Sequence, residues 1–148
     1  MEAFSRIGGA AVRESDRDRQ AWFGGRARLV ALAARTDARG TLQPLDFDAL
    51  PFAPRRLFFV HDVPAGAVRG EHAHRTARQL LFRLAGTIDV ELRTASDGAR
   101  VVLDRSDRGL LLEPGVWAAQ TYRGADAGLL VLADEPFDPA SYVAHPFD

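Results

Sequence analysis

His72 and His74 are the residues of this chain whose type and spacing most directly permit chemistry. They are one residue apart in a segment that reads as extended, Arg69-Gly70-Glu71-His72-Ala73-His74. Side chains alternate across a strand, so both rings leave the same face, with Cβ atoms roughly 6.6 Å apart. An imidazole has an unperturbed pKa of about 6.5 and is mostly unprotonated yet readily reprotonated at neutral pH. Two of them on one wall of a cavity suit either proton transfer at carbon or the grip of a metal ion, and spacing alone does not say which histidine would act. Gly66 and Gly86 frame the pair with backbone freedom, while Arg69 and Gln79 add polar partners. The ordinary alternative is two solvated histidines on an open sheet face.

A stable transition-metal site takes three or four ligands. The remaining histidines are His61 and His145, and no spacing ties either to the pair. There is no cysteine, which removes disulfides, thiolate metal sites and cysteine nucleophiles.

The elements that must position the pair read as strands. Thr87 to Arg93 is the clearest, with Ile88, Val90 and Leu92 alternating with Asp89, Glu91 and Arg93, one dry face and one wet. Ser96-Asp97-Gly98 ends it as a turn. Further strands are expected at Leu29 to Ala34, from Thr41, at Leu57 to His61, Gln79 to Leu84, Arg100 to Leu103, Gly109 to Leu112, Val116 to Thr121 and Gly128 to Ala133. Leu57-Phe58-Phe59-Val60-His61 is apolar at every other position on both faces and reads as a buried strand, not an edge. Asp37-Ala38-Arg39-Gly40 and Pro64-Ala65-Gly66 read as turns. About ten short strands with regular turn signals, and no amphipathic helix before Asp138, argue for an all-β sandwich or barrel. A helical turn is expected around Pro139 to Tyr142.

At 148 residues the chain is long enough for one domain with a substantial core. Nineteen basic and twenty acidic residues give a net charge of −1, so no field marks nucleic acid or an anionic membrane as a partner. No apolar stretch approaches the roughly 20 residues of a bilayer span, and no leader pattern opens the chain, so the expected location is cytoplasmic. Residues 1–26, with Gly8-Gly9, the charged run Arg13 to Arg19 and Trp22-Phe23-Gly24-Gly25, read as an arm or short helix that could pair with another subunit. Residues 27–148 form the domain proper. Asp89 and Glu113 are expected in solvent, and Tyr122 carries no role.

The spacing Gly66-x5-His72-x-His74-x4-Gln79-x6-Gly86 resembles the first motif of the cupins, and Gly109 through Pro114-Gly115-Val116-Trp117 resembles the second. The chain is similar in particular to the cupin sugar-nucleotide 3,4-ketoisomerases. That resemblance runs from about Asp37 to the C-terminus. It rests on Asp37-x-Arg39-Gly40-x-Leu42, Leu50-Pro51-Phe52 before Arg56, Asp62-Val63-Pro64, Arg69-Gly70-x-His72-Ala73-His74, Gln79, Gly86, Pro114 with Trp117, and Phe137-Asp138-x-x-x-Tyr142.

The resemblance implies a cupin double-stranded β-helix, a jelly roll with its cavity between two sheets. It implies a 3,4-ketoisomerase acting on a thymidine-diphosphate 4-keto-6-deoxyhexose for deoxysugar synthesis, with His72 as the base that shuttles the proton and His74 as its partner. Arg69, Arg39 and Gln79 fall on the active-site region. Phe58 stands where family members often carry a pocket tyrosine. Trp117 is placed either against the nucleotide base or in the core. Cupin metal sites add a glutamate and a further histidine. Here those positions hold Gln79 and the run Trp117-Ala118-Ala119, so a metal-free enzyme with no cofactor is expected, working as a homodimer. The competing expectations are a metal-dependent cupin enzyme and a non-catalytic nucleotide-sugar-binding cupin.

Overall fold

The computed structural model describes residues 4–7, 10–13 and 20–148. Gly8-Gly9 and most of the charged run before Gln20 lie outside the described residues. Apart from three single-turn 3-10 segments, the described regular structure is all strand.

A hairpin of β1 (Phe4–Ile7) and β2 (Ala10–Arg13) comes first. Then follow β3 (Ala21–Trp22), β4 (Ala27–Ala31), and a two-stranded hairpin of β5 (Arg35–Asp37) and β6 (Gly40–Leu42) that pairs with no other described strand. β7 (Arg56–Val60), β8 (Val68–His74), β9 (Gln79–Arg93), β10 (Gly98–Leu103), β11 (Arg108–Leu112), β12 (Trp117–Ala133) and β13 (Tyr142–Val143) complete the chain. The main sheet runs β13-β8-β12-β9-β11-β4-β3, with β10 on the edge of β9 and β7 on β12. The described pairings are antiparallel.

The sheet closes into a jelly roll because β9 and β12 each serve in both layers. Sequence reasoning splits β9 at Gly86, whereas the chain runs through it as one bent strand. Gly86 has φ +68, and a Cβ there would meet Ala127 Cα at 2.6 Å, so only glycine allows the fold-over. The register of β12 on β9 slips at the same level, between Arg123 and Gly128. The upper layer carries β13, β8 and β10 with the second half of β9 and the first half of β12. The lower layer carries β7, β11, β4 and β3 with the remaining halves.

Between the layers lies the main core, with Ile88, Val90 and Leu92 facing Leu81, Leu110, Leu129 and Val131. A second apolar cluster, Leu80, Phe82, Leu111 and Leu132, covers the outside of the lower layer under Phe52, Leu45 and Leu50. That explains why Leu80-Leu81-Phe82 is continuously apolar while the second half of β9 alternates: the first half is dry on both faces.

Two expectations are corrected. β7 is an edge strand paired only with β12 among the described strands; Phe58 and Val60 face the core, but Phe59 is 56% exposed on a face that no layer covers. Asp89 is buried, not solvated, because it sits between the guanidiniums of Arg100 (2.7 Å) and Arg123. Packing also begins before residue 27: Trp22 is 2% exposed within the main core, and Arg26 clamps the C-terminal tail through the Phe147 carbonyl at 2.7 Å and Asp148 at 2.9 Å.

Candidate active site

β8 presents His72 and His74 on its inner face, as strand alternation requires, with ring centroids 4.9 Å apart and planes at 77°. Arg69 would fall on the opposite face of a regular strand, being three residues before His72. It does not, because β8 carries a bulge. Ala118 faces His72 and Ala119 faces Gly70, so Glu71 is the extra residue, with φ 62, beside Gly70 with φ +88. A Cβ at Gly70 would lie 3.0 Å from the Ala118 carbonyl. The bulge turns Arg69 to the side of His72 and sets it opposite Gln120, where its charge reaches the buried Tyr122.

The histidines open into a small, partly open cleft whose walls include Gln79, Glu113, Ala118 and Gln120, with Leu112 and Val116. Glu113, expected in solvent, belongs to this wall. His72 Nδ1 lies 2.9 Å from the Gly70 carbonyl oxygen. A carbonyl only accepts, so Nδ1 carries the proton of the neutral ring and Nε2 holds the free lone pair. His74 is buried more deeply, and its Nε2 has no hydrogen-bond partner among the described residues. Burial, then the charges of His72 and Arg56, push its pKa down to about 4 against the opposing pull of Asp134 and Gln79. At neutral pH His74 is therefore an uncharged ring.

The C-terminal tail supplies what motif spacing did not reveal. β13 pairs with β8 so that Tyr142 faces His74. Its ring stacks on His72 at 4.4 Å with planes at 4° and meets His74 edge-on at 4.9 Å. Asp138 caps the preceding turn through the Ala140 N–H at 3.0 Å, and the Arg75 N–H donates to the Ser141 carbonyl at 2.9 Å, which holds the tyrosine in place. The signal available in the sequence was Phe137-Asp138-x-x-x-Tyr142, without any indication of what the ring would touch.

Trp117, Arg39 and Phe58, three of the expected site residues, are not among the cleft walls. Trp117 leaves β12 on the outer face, where it packs with Ala73, Ala119 and Val143 under the Arg93 guanidinium at 4.6 Å; neighbours of Ala118 on a strand face away from it. Arg39 sits at the turn of the β5–β6 hairpin, paired to Asp37 at 2.7 Å and open to solvent. Phe58 faces inward but packs on the core edge beneath Arg56 at 4.5 Å and does not line the cleft.

The donor set does not fit the metal that other cupins hold. Two imidazoles and the neutral amide of Gln79 are present, and among the described residues no three His, Cys, Asp or Glu side chains converge on a point.

Residues 26–147 match the family described as FdtA: WxcM-like, C-terminal. The TDP-4-oxo-6-deoxy-alpha-D-glucose-3,4-oxoisomerase of Aneurinibacillus thermoaerophilus is 30% identical over 108 residues, covering 72% of this chain and 78% of that protein. Among solved structures, a histidine-to-asparagine variant of the 3,4-ketoisomerase QdtA from Thermoanaerobacterium thermosaccharolyticum, in complex with TDP-4-keto-6-deoxyglucose, superposes with a TM-score of 0.78. It is 26% identical, with 81% of this chain and 88% of that one covered. The rmlC epimerase of Mycobacterium tuberculosis, at 14% identity, shares the fold with a TM-score of 0.67 over 78% of this chain and 66% of its own. A bulged strand carrying paired inward histidines, set in a jelly roll and matched over residues 26–147, makes this chain a member of the FdtA family of cupin sugar-nucleotide 3,4-ketoisomerases.

Proposed function

We propose that this chain interconverts a TDP-linked 4-keto-6-deoxyhexose and its 3-keto isomer, with His72 moving the proton. The observation that carries the assignment to His72 is the contact of its Nδ1 with the Gly70 carbonyl oxygen at 2.9 Å, which favours the Nδ1–H tautomer and leaves Nε2 as the free base atom. His72 Nε2 takes the proton from C3. The C–H electron pair becomes the C3=C4 bond, and the C4 carbonyl oxygen receives the charge. The same imidazolium then protonates C4, and transfer of the proton from O3 to O4 leaves the carbonyl at C3. No electrons enter or leave, so the step needs no redox partner.

General acid–base transfer of this kind contributes about 10²- to 10⁴-fold. Tyr142 fixes the plane of the His72 ring by stacking, and His74, kept neutral, serves as a hydrogen-bonding wall and not as a second cation. Gln79 faces the reacting sugar, and Arg69, turned inward by the bulge, is placed for an anionic part of the nucleotide. The reaction is cytoplasmic in this reading, where nucleotide sugars are made. A homodimer is supported by the uncovered apolar face of β7, where Leu57 and Phe59 are exposed.

The test is incubation with TDP-4-keto-6-deoxyglucose in deuterated water. Deuterium enters the sugar at C3 and C4 with wild-type protein and not with His72→Asn. Undiminished exchange in that variant removes His72 as the base. Tight TDP binding by wild-type protein without any exchange selects the binding-module reading instead, which the absent hydroxyl at Phe58 favours.

A further inference from the structure

We infer that Arg56 is a catalytic residue, the cation that holds the negative oxygen of the enediolate. This rests on the isomerase reading above, because only that reaction places a developing oxyanion between C3 and C4. The register puts Arg56 on the right row. Ala133 of β12 is paired with Arg56 on one side and with Gln79 on the other, so all three share the inward face of the lower layer, opposite the histidines. Gln79 is in the cleft wall, and Ala133, between them, puts only a methyl group in the way, so the guanidinium, which rests over Phe58 beside the cleft, has room to reach across the sheet.

Contacts lead from Arg56 to the pair. Its guanidinium lies 4.5 Å over the Phe58 ring and 4.9 Å over Phe137; Phe137 meets Tyr142 edge-on at 5.9 Å, and Tyr142 touches both histidines. His74 feels the charge as a force against its own protonation.

Arg56 also differs from the arginines that serve structure. Arg78 is paired with Asp134, Arg100 and Arg123 with Asp89, and Arg105 with Asp107. Arg56 has no carboxylate partner among the described residues and is half-buried between two aromatic rings, where the negative faces of the rings hold the cation without neutralising it. A guanidinium so held is oriented before the reaction begins and keeps its donors free, which is the requirement for stabilising charge that appears only in the transition state. His74 cannot take this role, since it is uncharged at neutral pH.

The alternative role for Arg56 is packing of its stem on Phe58. Arg56→Met keeps that apolar stem and removes the charge, so it separates the two. Expected is a fall in kcat of about 10²- to 10³-fold, with the melting temperature and the affinity for TDP unchanged, and a smaller fall in Arg56→Lys. Wild-type kcat in Arg56→Met, or a defect confined to TDP affinity, overturns the proposal while the isomerase reading stands. Wild-type protein that binds TDP but exchanges no deuterium overturns both.

Discussion

Asp89 and His74 are both polar groups withdrawn from water, and the molecule treats them in opposite ways. Asp89, 3% exposed on the outer side of the upper layer, is enclosed by two guanidiniums, and its charge is fully answered. His74, on the inner side, keeps an unpartnered Nε2 beside another imidazole and an uncompensated arginine. A buried group that only supports the fold must be satisfied, or its desolvation counts fully against stability. One that must meet a substrate has to be left open, and the surrounding packing carries the cost. In the reading proposed above, the inner wall is the working surface and the ion cluster around Asp89 is scaffold.

This contrast can be broken or sharpened by substitution. His72→Asn gives the largest expected effect on the working side, about 10²- to 10⁴-fold in kcat with the melting curve little changed, read by single-turnover isomerisation. On the scaffold side, Asp89→Ala leaves two guanidiniums facing each other without their anion. It should cost about 3 kcal/mol in urea unfolding, near the low end for a broken buried pair because Arg123 is half in water. Activity of the folded fraction should persist, and a variant that folds normally but loses turnover would erase the division.

Tyr142 gives an intermediate effect. Tyr142→Phe keeps the stack on His72 and should retain most activity, whereas Tyr142→Ala should lower kcat about 10-fold and shift the pH profile of kcat. Equal loss in both variants would transfer the role from the ring to the hydroxyl.

His74 predicts a milder dependence on acid. Its pKa is depressed to about 4 in the folded chain from an ordinary value near 6.5, so its contribution to stability is complete above pH 6.5 and is lost as pH falls toward 4. Melting temperatures measured across that window should fall, and His74→Gln should flatten the slope. The smallest effect is expected at Arg39, exposed and paired with Asp37; Arg39→Ala should alter neither kcat nor the melting temperature measurably.

Much of the architecture was legible because strand physics is local. Ile88, Val90 and Leu92 announced an inward face by alternation, and they form it. Leu57 to Val60 misled for the same reason: an apolar outward face looks identical whether another layer covers it or not, and here none among the described residues does. Asp89 looked solvated because the cations that bury it come from β10 and from the far end of β12's first half, partners that no local pattern names. Trp117 could not be assigned by type, since a large aromatic suits a base or a core equally, and only the parity of β12 sent it outward.

The sequence by itself determined that two imidazoles share one strand face, because a period of two permits nothing else, and that the donors beside them fall short of a metal set. Tertiary structure decided the rest of the site. The bulge at Glu71 chose the face of Arg69, the pairing of β13 with β8 delivered Tyr142 to His72, and the pairing of β12 with β7 and β9 aligned Arg56 with Gln79 across Ala133. Each of these depends on register between segments distant in the chain, and register is set by how a whole face is buried, which no short stretch of residues can specify alone.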